Sequence, residues 1–162
     1  MAFELRGDGK ERPEPEERKL RFDVNAVEEA LDAASREWGL PRELLRAEVV
    51  GSERGFLGLF GSRLKVEVTP TGDLLGLKGA AFLNEVMERM DLDAQASLTE
   101  DGTIDIEGPD AMDCVVGRYG DALKAMEYLL NLALRDPASE PRVRVDSCGY
   151  RERRTRSLER LA

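Results

Sequence analysis

"VVGRYGDALKAMEYLLNLALR", residues 115–135, sets two apolar residues before a four-residue segment with glycine at both ends, and then a long amphipathic run. In that run Leu123, Met126, Leu130 and Ala133, with Leu129, recur at helical spacing and form the expected buried stripe, while Lys124, Tyr128, Asn131 and Arg135 face away. Upstream, "PDAMDCVV" opens with Pro109, a residue suited to a first helical position, and breaks off at Gly117. "GRYG", residues 117–120, therefore joins two helices. A G-x-x-G loop in that position lets the backbone approach a nucleic-acid phosphate closely and aims the amides at the start of the second helix toward it. Arg118 supplies a cation in the middle pair. The competing reading is a glycine-made corner between helices. The bare pattern also occurs twice within "GFLGLFG", residues 55–61, so the flanking elements must decide.

Working outward, "PRVRVDSC" follows as a strand and "YRERRTRSLERLA" as a basic helix. On the other side, "AQASLT" and "TIDIEG" flank "EDG", and an Asp-Gly step between two extended runs predicts a hairpin. Before the hairpin, "AAFLNEVMERM" predicts a helix that buries Ala81, Phe82, Val86 and Met90. The second half thus reads α-β-β-α-(GRYG)-α-β-α.

The first half has a different order. "KLRFDV" alternates as a strand, after which Asn25 or Asp23 can cap a helix through about Trp38, with Val27, Ala30, Leu31, Ala34 and Trp38 on one face. Gly39 is placed to end that helix, Pro41 opens a short turn, and "RAEVV" is extended and β-branched. "RLKVEV" sets Leu64, Val66 and Val68 on one face against Arg63, Lys65 and Glu67 on the other. This unit is β-α-β-β. "TPTGDLLGLKG" carries a proline and three glycines, so it is read as the linker between the halves.

Composition narrows the function classes. The 162 residues are 41% hydrophobic and 35% charged, ordinary for a globular chain, and no run is long and apolar enough to span a membrane. The charged N-terminus does not read as a signal peptide, so a cytoplasmic location is expected. There is no histidine, which removes Ser-His-Asp, Cys-His and Cys/His zinc arrangements. Cys114 and Cys148 have no ligand spacing and are expected as buried, reduced thiols. With no nucleophile and base placed to work, an enzyme is not expected, nor a cofactor, metal or small-molecule substrate. "GFLGLFG" fails as a dinucleotide fingerprint because its spacing is G-x-x-G-x-x-G and a strand follows it.

The net charge of −9 argues against a general polyanion binder, but its distribution is uneven. Gly79–Val116 holds ten acids against one base, whereas Arg142–Ala162 holds seven arginines against three acids. Those tail arginines read either as a solvated helix face partnered by Glu152 and Glu159, or as a phosphate track in which Arg153, Arg156 and Arg160 share a face.

Three segments, "ERGFLGLFGSRLKVEV", "VVGRYGDALKAMEYLLNLALR" and "RVRVDSCGYRERRTRSLERLA", together with the element order, make the chain resemble the Jag, or SpoIIIJ-associated, family of bacterial RNA-binding proteins. The resemblance implies an α+β chain. Residues 1–17, with Pro13, Pro15 and a mixed-charge cluster, read from composition as a disordered or frayed leader, and the resemblance then places a Jag N-terminal domain at 18–69, before the linker at 70–78. A type II KH domain (α-β-β-α-α-β) follows at 79–149, and a C-terminal helix at 150–162. That helix looks like the start of an R-three-H domain. The chain stops after "SLERLA" and lacks histidine, so a complete domain of that kind is not expected, and RNA binding weaker than in a relative carrying one is expected.

The resemblance further implies that Gly117, Arg118, Tyr119 and Gly120 contact single-stranded RNA, beside an apolar groove near Val115 and Val116 that receives unstacked bases. Lys124, Arg151, Arg153 and Arg154 extend the phosphate-facing surface. Asp121 and Glu127 depart from the family pattern, since acids near phosphates repel them. The family also implies a regulator of cell elongation, division or envelope growth, a homodimer or a heterodimer with a small KH protein, and recruitment to the membrane by cell-elongation proteins. Phe56, Leu57, Leu59 and Phe60 of "GFLGLFG" either fold back over a small core or form an apolar knob for a partner protein or membrane surface. The competing class is an adaptor in which the KH fold is a scaffold and the acidic surface at 85–113 meets a basic partner.

Overall fold

The alternation of "RLKVEV" forms the middle strand of a three-stranded sheet. The computed structural model describes residues 19–53, 63–134 and 142–161. Strand β1 (Leu20–Val24) leads into helix α1 (Val27–Trp38), a short turn, and strands β2 (Leu45–Glu53) and β3 (Arg63–Pro70). Both outer strands pair antiparallel with β3, in the order β1-β3-β2. Val66 and Val68 are buried under α1 with Ala30, Ala34 and Trp38, while Arg21, Lys65 and Glu67 lie on the open face. There Glu67 accepts from Lys19 and Arg21, and Lys65 pairs with Glu53. Period-two alternation predicts this division directly.

Helix α1 ends as expected, with Gly39 left-handed at φ 66° and its N–H donating to the Ser35 carbonyl. Its start differs. Ala26 holds the cap position with no side-chain cap, and the Glu29 carboxylate instead accepts from the Asn25 N–H, so neither Asn25 nor Asp23 caps the helix. In β2 the register slips between Val49 and Gly51, and both Val49 and Val50 are exposed on this edge strand. The leader at 1–17 and the segment "GFLGLFG" lie outside the described residues.

The second sheet is built from β4 (Gln95–Leu98), β5 (Thr103–Glu107) and β6 (Arg144–Ser147). The hairpin forms as predicted, with β4 antiparallel to β5, and β6 then adds parallel to β5. Ala96, Ile104, Ile106 and Val145 face α2 (Leu74–Arg89) and α3 (Asp121–Ala133), which bring Leu83, Met87, Leu123 and Leu130 into the same core. Each such buried aliphatic side chain contributes roughly 1.5–3 kcal/mol relative to exposure. Helix α4 (Tyr150–Glu159) closes the described chain.

Three expectations are corrected here. The stretch read as a linker is largely helical: α2 begins at Leu74, where the Asp73 carboxylate accepts from the Gly76 N–H. Its glycines serve close packing rather than flexibility. A Cβ at Gly76 would lie 2.5 Å from Leu98 Cδ1, and one at Gly79 would lie 2.7 Å from Ile104 Cδ1. That approach rotates the buried stripe of α2 to Leu77, Ala80, Leu83 and Met87, leaving Ala81, Phe82 and Val86 half-buried and Met90 exposed. Leu77 belongs to the first core and Ala80 to the second, so one helix serves both. The segment before "GRYG" is a single widened turn, Ala111–Val116, that begins after Pro109 rather than at it, with Val115 N–H donating to the Asp110 carbonyl.

The third correction concerns α3. Leu123 and Leu130 are buried and Met126 half-buried, but Leu129 and Ala133 are exposed and Asn131 turns inward. The Asn131 amide bridges the outer edge of β6: its Nδ2 donates to the Val143 carbonyl at 2.8 Å and its Oδ1 accepts from the Val143 N–H at 2.8 Å. Asn84 does the same for β4, accepting from the Ala96 N–H at 2.7 Å and donating to the Ala96 carbonyl at 3.0 Å. One residue on each edge of the sheet thus has both its backbone groups met by an asparagine side chain. Asn131→Leu keeps the volume and strands two backbone groups, so it should destabilise the protein by about 2 kcal/mol. The urea midpoint falls with the slope unchanged; an unchanged midpoint would show the bridge to be dispensable.

Candidate nucleic-acid interface

The four residues of "GRYG" form a strained turn at the start of α3. Gly117 (φ 67°), Tyr119 (φ 59°) and Gly120 (φ 79°) all have positive φ. Gly117 with ψ −168° and Gly120 take backbone that glycine adopts without steric cost, but Tyr119 does so at a cost of about 1–2 kcal/mol. Neighbouring packing limits the turn on both sides. A Cβ at Gly117 would stand 2.7 Å from Ala122 Cβ, and one at Gly120 would stand 2.5 Å from Tyr150 Cε1. The first turn of α3 thus begins at a bare, tightly folded backbone, the arrangement that leaves amide groups available to an anion.

Arg118 and Tyr119 project from this turn. Tyr119 is 63% exposed, and the Arg118 guanidinium carbon lies 5.5 Å from its ring centroid, within cation–π range. Arg118 forms no ion pair with any described residue. Lys124, one turn along α3, is exposed and 3.4 Å from Asp121, a weak surface pair that leaves the ammonium open to solvent. Val115 and Val116 are placed differently from the expectation. They are buried in the core beneath the turn, so their side chains offer no surface to a base. Met112, beside Arg153, and Tyr119, at the turn, are exposed instead. Neither thiol is fully buried, since Cys114 is exposed and Cys148 half-buried, although both are free as expected.

Helix α4 lies against the same end of the fold. Tyr150 packs over Gly120 and onto the core, and Arg153 reaches Met112 Sδ at 3.2 Å while also donating to the Cys148 carbonyl. Arg154 is exposed and has no ion pair with a described residue. Arg151 is committed elsewhere: its guanidinium pairs with Glu127 and its Nε donates to the Val145 carbonyl at 2.9 Å. Glu127 also accepts from the Val145 N–H at 2.8 Å. This removes Arg151 from the open cationic surface and neutralises Glu127, one of the two acids expected to oppose an RNA. Farther along, Arg156 pairs with Glu152, in keeping with the solvated-face reading of that part of the tail. Phe56, Leu57, Leu59 and Phe60 lie outside the described residues.

The candidate surface therefore consists of Gly117, Arg118, Tyr119, Lys124, Arg153 and Arg154; Gly120, expected to contact RNA, is buried, and the supporting residues are Tyr150 over Gly120 and, farther along α3, Glu127 and Asn131. Sequence reasoning missed the last three. The available signal was local: an asparagine and a glutamate four residues apart on the face of α3 that also carries Leu123 and Leu130.

The junction into α4 carries one perturbed acid. Asp105 accepts from the Cys148 N–H at 3.2 Å and sits across the sheet from Asp146. Burial, then repulsion from Glu107 and Asp146, raises its pKa above the ordinary 3.8. A raised carboxyl pKa means that folding favours the protonated form, so ionised Asp105 detracts from stability at neutral pH, and the deficit fades as pH falls through the folded value. Asp105→Asn, which keeps an acceptor for Cys148, should raise the melting temperature at pH 7, and the gain should vanish as pH approaches 3.8. A gain independent of pH would refute the electrostatic cause.

Comparison with known proteins agrees with this architecture. The family described as Jag N-terminus matches residues 25–70, which run from the turn before α1 to the end of β3. The RNA-binding protein KhpB of Clostridium symbiosum is 32% identical over 146 residues, covering 86% of this chain and 65% of that protein. The chain spans just under two thirds of that relative's length.

Proposed function

The chain belongs to the Jag family, and from that premise we propose that it is a non-catalytic regulator that binds single-stranded RNA through the "GRYG" turn of a type II KH fold. The observation that carries the proposal is the turn itself: bare backbone at positive φ, opening a helix, with an exposed arginine and tyrosine at its tip. The element order around it supports the KH reading, as helix, antiparallel hairpin, turn, helix and a strand added parallel to the hairpin. The relative's description as an RNA-binding protein supports the ligand class. In this reading residues 18–69 are the Jag N-terminal domain and 79–149 the KH domain. Gly117, Arg118, Tyr119, Lys124, Arg153 and Arg154 meet a short target of about four nucleotides, while Gly120, buried under Tyr150, shapes the turn that presents them. The cellular role follows the family, in regulation of elongation, division or envelope growth from the cytoplasm.

The test replaces the tip of the turn. Arg118→Asp with Tyr119→Asp reverses the charge and removes the ring, and aspartate tolerates the left-handed backbone that Tyr119 occupies. The double variant should lose RNA crosslinking while keeping its circular dichroism spectrum. Arg118→Ala alone should lower the slope of log affinity against log salt by about 0.7, the loss of one phosphate contact on a single strand. Crosslinking that survives the double variant would place the RNA elsewhere.

A second reading concerns pairing, with itself or with a small KH protein. Ala125, Tyr128, Leu129, Leu132 and Ala133 are exposed along the outer face of α3, with Leu129 at 55% and Leu132 at 53%, an apolar stripe on a helix whose other face is already packed. Leu129→Asp with Leu132→Asp should abolish self-association measured by light scattering, or capture of a small KH partner, and leave the melting temperature within a few degrees. Pairing that persists would assign it to another surface.

A further inference from the structure

We infer that Tyr150 is a positioning residue for the "GRYG" turn, so that the nucleic-acid interface continues into α4 rather than ending with β6. The inference rests on the RNA reading for its purpose and on the geometry for its content. A non-glycine residue held at positive φ persists only where its surroundings over-determine it. The Tyr119 side chain cannot supply that restraint, since it is exposed and its ring contact is with neighbouring Arg118. Restraint must reach the turn through its backbone. On the upstream side Gly117 abuts Ala122, which belongs to the same helix start and moves with the turn. On the downstream side Gly120 is buried directly beneath the Tyr150 ring, whose Cε1, Oη and Cζ would lie 2.5, 2.8 and 2.9 Å from a Cβ there. Tyr150 is the contact that comes from a different element.

The ring is itself held from two directions. Tyr150 packs partly buried against the core cluster that includes Val115 and Leu123, the residues on either side of the turn. Immediately after it, Arg151 is tied to Glu127 of α3 and to the Val145 carbonyl, and its N–H donates to the Asp146 carboxylate at 3.2 Å. Helix α4 is thus fastened to α3 and β6 in a way that sets its first residue over Gly120. With no side chain at 120, the ring closes on the backbone. The pair of residues, a glycine that must be bare and a tyrosine that fills the space, is one device.

The experiment compares Tyr150→Leu and Tyr150→Phe in the 162-residue chain. Leucine keeps apolar volume in the core and removes the ring over Gly120; phenylalanine keeps the ring. Two readouts are taken: backbone amide relaxation of residues 117–122 by NMR, and affinity for a labelled random-sequence pool of single-stranded RNA across a salt series. With leucine, the amides of the turn should gain fast motion and affinity should fall about tenfold, with the salt slope kept because no cation has been removed. Phenylalanine should behave as the parent in both. Turn amides that are unchanged by leucine, or an affinity loss without any change in the turn, would overturn the inference. A turn that loosens in a protein whose parent retains no RNA at low salt upholds the positioning role and defeats the RNA reading instead.

Discussion

The lacing of α3 to the outer edge of β6 is the constraint from which the rest of the second half follows. Asn131 takes both polar groups of Val143, Glu127 takes the N–H of Val145, and Arg151 takes its carbonyl while pairing with Glu127. Packing alone would leave α3 free to roll, because its apolar residues extend most of the way around. Directional hydrogen bonds settle which side faces the sheet. They choose Leu123, Met126 and Leu130 for the core and leave Leu129 and Leu132 outside. Rotation and height of α3 in turn set where its first residue, and so the glycine turn, sits against α4.

The same arrangement changes how the acidic character of this chain is understood. A carboxylate on the helix that opens at an anion site would ordinarily oppose ligand binding. Glu127 is instead consumed in structural contacts, pairing with Arg151 and accepting from the Val145 N–H, and the same pair withdraws Arg151 from the open surface. Asp121 stands nearer the turn and is only loosely balanced by Lys124. The surface charge near the turn is thus decided by pairing geometry. Counting acids and bases along the sequence does not reveal it.

Much of the fold was legible from periodicity. Strand β3, the hairpin of β4 and β5, the end of α1 at Gly39 and the glycine turn before α3 all carry local signals strong enough to survive into the structure. Errors arose where a residue type has two uses. Glycines at 76 and 79 were read as breakers, yet they let α2 approach Leu98 and Ile104, and only the partner strand reveals that need. Asn131 looked like a solvent residue because asparagine usually is one. Val115 and Val116 are adjacent to the turn in sequence and beneath it in space. The turn was therefore readable from "GRYG", but the packing behind it was not, since Tyr150 lies thirty positions away from Gly120 in sequence.

The two sheets treat their margins differently. In the second, asparagine side chains occupy the backbone groups along both outer strands, at Ala96 and at Val143. A strand presented by another molecule would have to displace these amides before it could pair. In the first, β2 runs along an edge with Val49 and Val50 exposed beside a register slip. During synthesis or under heat stress β2 is therefore the strand at which templated growth into larger aggregates is expected to begin.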